Sequence, residues 1–172
     1  MKKRIRLIIT VLIIALVICV LTWRFWPHPS SYIISMEKTA ITIFSAYAMV
    51  SCFENGQSEF DTYRIDITEP QSNETAEIME ILSTSGYQQD FRNLLPWGLD
   101  HVGSDRNYDG KTMTVSLYTG PQQDKHVEIQ FLSSSIVAVR DSCKSGFRIY
   151  HPTNRKTMDD LVEYLQTHGV KQ

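Results

Sequence analysis

The sequence predicts an α+β domain, an antiparallel sheet with two helices packed on one face, preceded by a single transmembrane helix. A long uncharged apolar run lies near the amino terminus. Several later segments alternate apolar and polar residues, as half-buried strands do, and two segments carry apolar residues at helical spacing. The predicted order of strand, strand, helix, strands and helix is typical of the α+β class.

Residues 1–26 are predicted to be a cytoplasmic basic flank and a transmembrane signal anchor. Residues 7–23 contain no charged residue. With Ile5 the run reaches about 19 residues, which at about 1.5 Å per residue matches the ~30 Å hydrocarbon core of a bilayer. The basic residues at positions 2, 3, 4 and 6 favour a cytoplasmic amino terminus, and the carboxy-terminal domain then lies outside the cell membrane.

Two other readings of this segment are possible. A cleavable signal peptide needs a small-x-small site after the apolar run, and residues 21–26 contain none. A lipoprotein signal needs a small residue before the lipidated cysteine, but Ile18 precedes Cys19. We therefore expect a retained anchor.

The remaining chain is acidic and has the size of one domain. Five of the 17 basic residues and none of the 19 acidic residues lie in residues 1–26, so residues 27–172 carry a net formal charge of −7. This charge repels phosphate, and we expect no nucleic-acid partner. Residues 27–32, with Pro27 and Pro29, are predicted to be a linker, and residues 33–172 the extracytoplasmic domain.

The domain begins with a predicted β-hairpin and a helix. Residues 33–50 and 60–68 are rich in β-branched and aromatic residues, and the Asn55-Gly56 pair between them is typical of a tight turn. After Pro70, Ser72 or Asn73 is expected to cap a helix whose apolar residues recur at helical spacing.

Four strands and a helix follow in the prediction. Residues 112–119, 126–132, 136–139 and 147–150 are separated by turn signals, which is typical of an antiparallel meander. The last helix is expected to begin at a capping box formed by Thr157 and Asp160 and to end at a left-handed Gly169.

This pattern of two strands, an isoleucine-rich helix, an aromatic loop and a meander resembles small, uncharacterised extracytoplasmic domains of Gram-positive bacteria. The resemblance covers roughly residues 38–150. Such domains usually follow an amino-terminal membrane anchor or lipid signal. The resemblance implies a location and no activity.

One acidic run has part of a calcium-loop pattern. Asp105, Asn107 and Asp109 stand at positions 1, 3 and 5, and Gly110 at position 6, of a possible loop. Position 12 is Ser116, where such a loop has a bidentate glutamate. These three residues are therefore weak candidates, and we expect neither a tight metal site nor a cofactor.

Two cysteines lie beyond the apolar run, in a compartment that permits disulfides. Cys52 and Cys143 both stand at predicted strand ends. A bond between them would close a loop of about 90 residues, worth roughly 4 kcal/mol on a chain-entropy estimate. The alternative is a pair of unpaired, partly buried cysteines.

The sequence has little that indicates catalysis. It lacks a Gly-x-Ser-x-Gly motif and zinc-ligand spacings of histidine or cysteine. His101 and His151 fall in predicted loops without a partner of known spacing. A hydrolase would need a site assembled from separate strands, and we predict no catalytic residue.

The irregular stretch 91–107 is the predicted contact surface for a protein or peptide partner. It contains the candidates Phe91, Arg92, Trp97 and Arg106, an aromatic and arginine mixture typical of interface hot spots. The competing explanation is that Trp97 and Leu95 fill the core. The predicted function is therefore a membrane-anchored binding or sensing domain without catalytic activity. The alternatives are an immunity-type or inhibitory partner of another membrane protein, and a hydrolase.

Overall fold

The computed structural model describes residues 2–34, 41–54, 57–67, 72–94, 111–119, 125–142 and 146–172. Over these ranges the protein is α+β, with an eight-stranded antiparallel sheet and an amino-terminal apolar helix. The helices are α1 (Lys2–Arg24), α2 (Ser30–Ile33), α3 (Asn73–Ser83) and α4 (Thr157–His168), with a 3-10 turn at Phe91–Leu94. The strands are β1 (Ile41–Glu54), β2 (Gln57–Ile67), β3 (Tyr87–Gln89), β4 (Lys111–Thr119), β5 (Lys125–Ser133), β6 (Ile136–Asp141), β7 (Phe147–Pro152) and β8 (Val170–Lys171).

The sheet has the order β3-β7-β6-β5-β4-β1-β2-β8, and all neighbouring strands are antiparallel. The predicted hairpin is confirmed, since β1 and β2 pair from Phe44 opposite Ile67 to Glu54 opposite Gln57. The predicted meander is also confirmed, because β4, β5, β6 and β7 pair in chain order. The hairpin joins the meander through the pairing of β1 with β4.

The main core cluster lies on one face of the central strands β1, β4 and β5. The central strands contribute to it every second residue, as the two-residue period of a strand requires: Phe44, Ala46, Ala48, Met113, Val115, Leu117, Val127, Ile129 and Phe131. Helix α4 packs on β1, β2, β4 and α3. Ile78 and Leu82 of α3 and Leu161 and Leu165 of α4 are fully buried in the same cluster.

Several elements differ from the sequence prediction. The first strand begins at Ile41 and not at Ile33, because Ile33 ends the short helix α2. The edge strands β3 and β8 were not predicted, since three and two residues are too few for a period to appear. In the described ranges the chain therefore has two more strands and one more short helix than expected.

Both ends of α4 differ in detail from the prediction. The helix begins at Thr157, whose side chain is buried, and Lys156 precedes it without a side-chain cap. Gly169 is extended, with φ −82° and ψ 166°, so the predicted left-handed cap is wrong. A Cβ at position 169 would lie 2.6 Å from the Leu165 carbonyl oxygen and 3.1 Å from that of Arg64. Glycine allows this close approach, which brings β8 onto β2.

Residues 27–34, which include the predicted linker, pack on the domain. The His28 N–H donates to the Tyr87 carbonyl at 3.0 Å, and the Tyr87 N–H donates to the His28 carbonyl at 2.7 Å. Ile33 and Ile34 are buried in the core cluster. The chain that leaves α1 is thus bonded to the edge strand β3 before it enters the core.

Candidate functional site

The 3-10 turn at Phe91–Leu94 follows the edge strand β3, and the carboxylate of Asp90 fixes its start. The Arg92 backbone N–H donates to Asp90 Oδ1 at 2.7 Å. The Arg92 guanidinium donates to Asp90 Oδ2 from Nε at 3.0 Å and from Nη2 at 2.8 Å. Only 4% of the Asp90 side chain is exposed. Arg92 thus donates three hydrogen bonds to the Asp90 carboxylate, one from its backbone and two from its side chain.

Asn93 fixes the same turn to strand β7. Its side-chain amide donates from Nδ2 to the Ile149 carbonyl at 2.7 Å, and its Oδ1 accepts from the Ile149 N–H at 2.8 Å. The Asp90 N–H also donates to the Ile149 carbonyl, at 3.0 Å. The Asn93 side chain therefore bonds the Ile149 N–H and carbonyl of β7 as a neighbouring strand residue would. Buried backbone groups need such partners.

The turn exposes two large apolar side chains. Phe91 is 64% exposed and Leu94 is 48% exposed. A single exposed apolar residue is ordinary on a protein surface. Here two of them stand three residues apart, on either side of Arg92 and Asn93, whose hydrogen bonds to Asp90 and Ile149 hold the turn.

The ionised form of Asp90 is stabilised in this position. Burial alone would raise the pKa of the Asp90 carboxyl, but the hydrogen bonds from Arg92 and His151, with the charge of Arg92, lower that pKa below its usual value. Asp90 therefore stays charged at neutral pH and continues to accept these hydrogen bonds.

His151 completes the cluster from strand β7. Its Nε2 lies 2.8 Å from Asp90 Oδ2, and its Nδ1 lies 2.9 Å from the Ser135 carbonyl oxygen. A serine hydrolase needs a histidine with one nitrogen on an acid and the other on a serine hydroxyl. Here the second nitrogen faces a backbone carbonyl, so the pair of Asp90 and His151 does not form a nucleophile-activating triad.

The sequence-predicted residues fall into two groups. Phe91 and Arg92 lie in this turn, Phe91 exposed and Arg92 bonded to Asp90. The partner-binding candidates Trp97 and Arg106 lie outside the described residues.

The metal and disulfide candidates are also largely outside the described ranges. These ranges do not include Asp105, Asn107, Asp109 or Cys143, whereas Cys52 lies in β1 opposite Glu59. The disulfide therefore stays a prediction. Among the described residues, no group of three His, Cys, Asp or Glu side chains could hold a metal ion.

Sequence reasoning missed Asp90, Asn93 and His151 as parts of one cluster. A local signal existed for Asp90, because aspartate commonly accepts from the backbone N–H two residues later in a turn. No local signal existed for His151, which lies 61 residues away along the chain.

Comparisons of the chain with protein-family models, with curated proteins and with solved structures give no match. Helix α1 is long and apolar enough to span a membrane.

Proposed function

We propose that this chain is a membrane-anchored extracytoplasmic domain that binds a protein or peptide partner and has no catalytic activity. The contact surface is the turn Phe91–Leu94. One observation carries the proposal: Phe91 and Leu94 are exposed on a turn that buried Asp90 and the Asn93 amide hold in place. A backbone that is already ordered loses less conformational entropy on binding than a mobile loop does, so burial of the two exposed side chains contributes more to affinity.

The character of α1 supports the anchor and its orientation. The helix spans 23 residues, and its side chains are exposed along most of its length, as a lipid-facing helix requires. Basic residues at its start favour a cytoplasmic amino terminus, and residues 27–172 then lie outside. In this arrangement α3 and α4 form the helical layer on one face of the sheet, which is supported by their shared buried cluster.

The absence of catalysis is supported by the hydrogen bonds of His151. Both of its ring nitrogens are occupied, by a carboxylate and by a backbone carbonyl. Neither nitrogen faces a hydroxyl or thiol side chain that it could activate as a nucleophile. We infer that the cluster holds the turn in place and is not a catalytic site.

Site-specific photo-crosslinking in the native membrane tests the partner. A photoreactive residue at Phe91 or Leu94 should give a crosslink to one discrete protein, and the same residue at exposed Gln166 on α4 should not. In addition, Phe91→Ser should abolish the crosslink from position 94 without changing the stability of the chain. Crosslinks only to lipid, or equal crosslinks from position 166, would contradict a protein-binding turn.

The orientation is tested with epitope tags. A tag after Gln172 should be accessible to antibody on intact spheroplasts, and a tag before Met1 should become accessible only after the membrane is permeabilised. The opposite pattern would reverse the proposed topology.

A further inference from the structure

The exit of helix α1 lies against a defined part of the domain. Pro27 follows the last helical residue, Arg24, by three residues, so at most about 10 Å of chain separates them. A Cβ at Gly86 would lie 3.2 Å from Pro27 Cβ and 3.2 Å from Thr153 Oγ1. Gly86 therefore lies beside both Pro27 and Thr153 at the exit.

The loop that contains Thr153 is fixed to the domain at this point. The Thr153 N–H donates to the Gly86 carbonyl at 2.8 Å, and the Gly86 N–H donates to Thr153 Oγ1 at 2.9 Å. The Asn154 N–H donates to Ser85 Oγ at 3.1 Å. These bonds hold the loop Thr153–Lys156, which we name the exit loop, beside the residues that leave α1.

The exit loop presents two cations. Arg155 and Lys156 are adjacent in sequence and both are exposed. The nearest acids along the chain are Asp159 and Asp160 in the first turn of α4, and Asp159 is paired with Lys111 at 2.6 Å. The loop is thus locally basic on a segment, residues 27–172, whose net formal charge is −7.

The position of the loop relative to a bilayer follows from α1. The polar headgroup layer occupies roughly 5–8 Å on each side of the hydrocarbon core. Trp23 and Trp26 are each 65% exposed at the end of α1, where aromatic side chains favour the interface. The few residues from Arg24 to Pro27 span a distance comparable to the headgroup layer, so with α1 across a bilayer the residues beside Pro27 would lie near the lipid phosphates.

We propose that the exit loop binds the phosphate headgroups of the leaflet from which α1 emerges, through Arg155 and Lys156. This inference rests on the membrane anchor of the proposed function and adds a second membrane contact, made by the folded domain. We infer lipid phosphate as the bound group because the loop adjoins the residues that leave α1, and because cations are attracted to an anionic membrane surface. The contact would fix the tilt of an acidic domain that an anionic leaflet otherwise repels.

The test uses the full chain reconstituted in vesicles of phosphatidylcholine, with or without phosphatidylglycerol. A photoreactive residue is placed at Lys156, which leaves Arg155 as the cation of the exit loop, or, as a control, at Gln166 near the far end of α4, roughly 15 Å away. Lipid adducts are counted by intact-protein mass spectrometry. We expect several-fold more adducts from position 156 than from position 166, and more in the anionic vesicles.

The charge dependence is tested with Arg155→Gln in the position-156 protein. The adduct yield in anionic vesicles should fall several-fold, whereas the control Lys125→Gln, at an exposed lysine of β5, should leave it unchanged. Added inorganic phosphate should not compete, because the loop engages the membrane surface. Circular dichroism checks that each variant is folded.

Equal adduct yields from positions 156 and 166, or yields that respond neither to Arg155→Gln nor to lipid charge, would overturn the inference. Flotation of the vesicles after an alkaline wash separates this failure from failure of the anchor. A chain that floats without position-156 adducts keeps its anchor and loses only the exit-loop contact. A chain that does not float loses both.

Discussion

Replacement of Asp90 by asparagine tests whether this carboxylate holds the turn Phe91–Leu94. The carboxylate accepts three hydrogen bonds from Arg92 and lies 2.8 Å from His151 Nε2. An asparagine keeps one acceptor oxygen but replaces the other with an amide NH2 group. This group cannot accept hydrogen bonds from Arg92 or His151. Hydrogen bonds to charged groups contribute about 1.5–3 kcal/mol each.

The expected loss is smaller than the sum of these bonds. The Arg92 side chain is 21% exposed and that of His151 is 41% exposed, so both can find water when Asp90 is changed. We expect the free energy of unfolding to fall by about 2–3 kcal/mol. Urea unfolding of the full chain in detergent, followed by circular dichroism, measures it, and hydrogen exchange of the Arg92 amide should accelerate because its acceptor is weakened.

The matched control is Asp159→Asn. Asp159 also pairs with a cation, Lys111, but its side chain is 55% exposed and that of Lys111 is 37% exposed. Such a pair contributes at most about 1 kcal/mol. If Asp90→Asn costs no more than Asp159→Asn, and the Arg92 amide exchanges at its original rate, the reasoning about the turn is refuted.

Two further predictions concern pH and the residues after α1. The pKa of Asp90 is lower in the folded protein than in the unfolded chain, so the ionised carboxylate stabilises the fold fully above about pH 4 and loses this effect below it. In acid titrations of unfolding, the stability difference between wild type and Asp90→Asn should shrink as the pH falls from 5 to about 2. A constant difference would contradict the assignment. Removal of residues 27–34 deletes the buried side chains of Ile33 and Ile34. A fragment 35–172 should therefore be less stable than a fragment 27–172 by about 4 kcal/mol or more. Equal urea midpoints would mean that these residues are not part of the folded unit.

The elements that could be predicted from the sequence are those with a local signal. The apolar run of α1 is continuous, the Asn55-Gly56 pair joins two alternating segments, and Ser72 accepts from the Thr75 N–H as the predicted cap of α3. Each of these signals operates within a few residues. Such elements can be predicted because the physical cause lies inside the segment itself. That cause is the burial of one face or the satisfaction of one terminal N–H.

The site could be predicted only in part. Composition drew attention to Phe91 and Arg92, and both lie in the turn. The partners that fix the turn come from the distant strand β7, through Ile149 and His151. No periodicity in the sequence relates these positions, because their contact exists only after β3 has paired with β7.

The amino-acid sequence by itself determined the α+β class, the apolar helix α1, the hairpin of β1 and β2, and the meander from β4 to β7. Only the tertiary structure decided that β1 lies between β4 and β2, that His28 pairs with Tyr87, and that Asp90 meets His151. The physical reason is range. Local patterns record which face of a segment is buried, whereas the choice of neighbour depends on which segments bury their surfaces together, and that is a property of the whole chain.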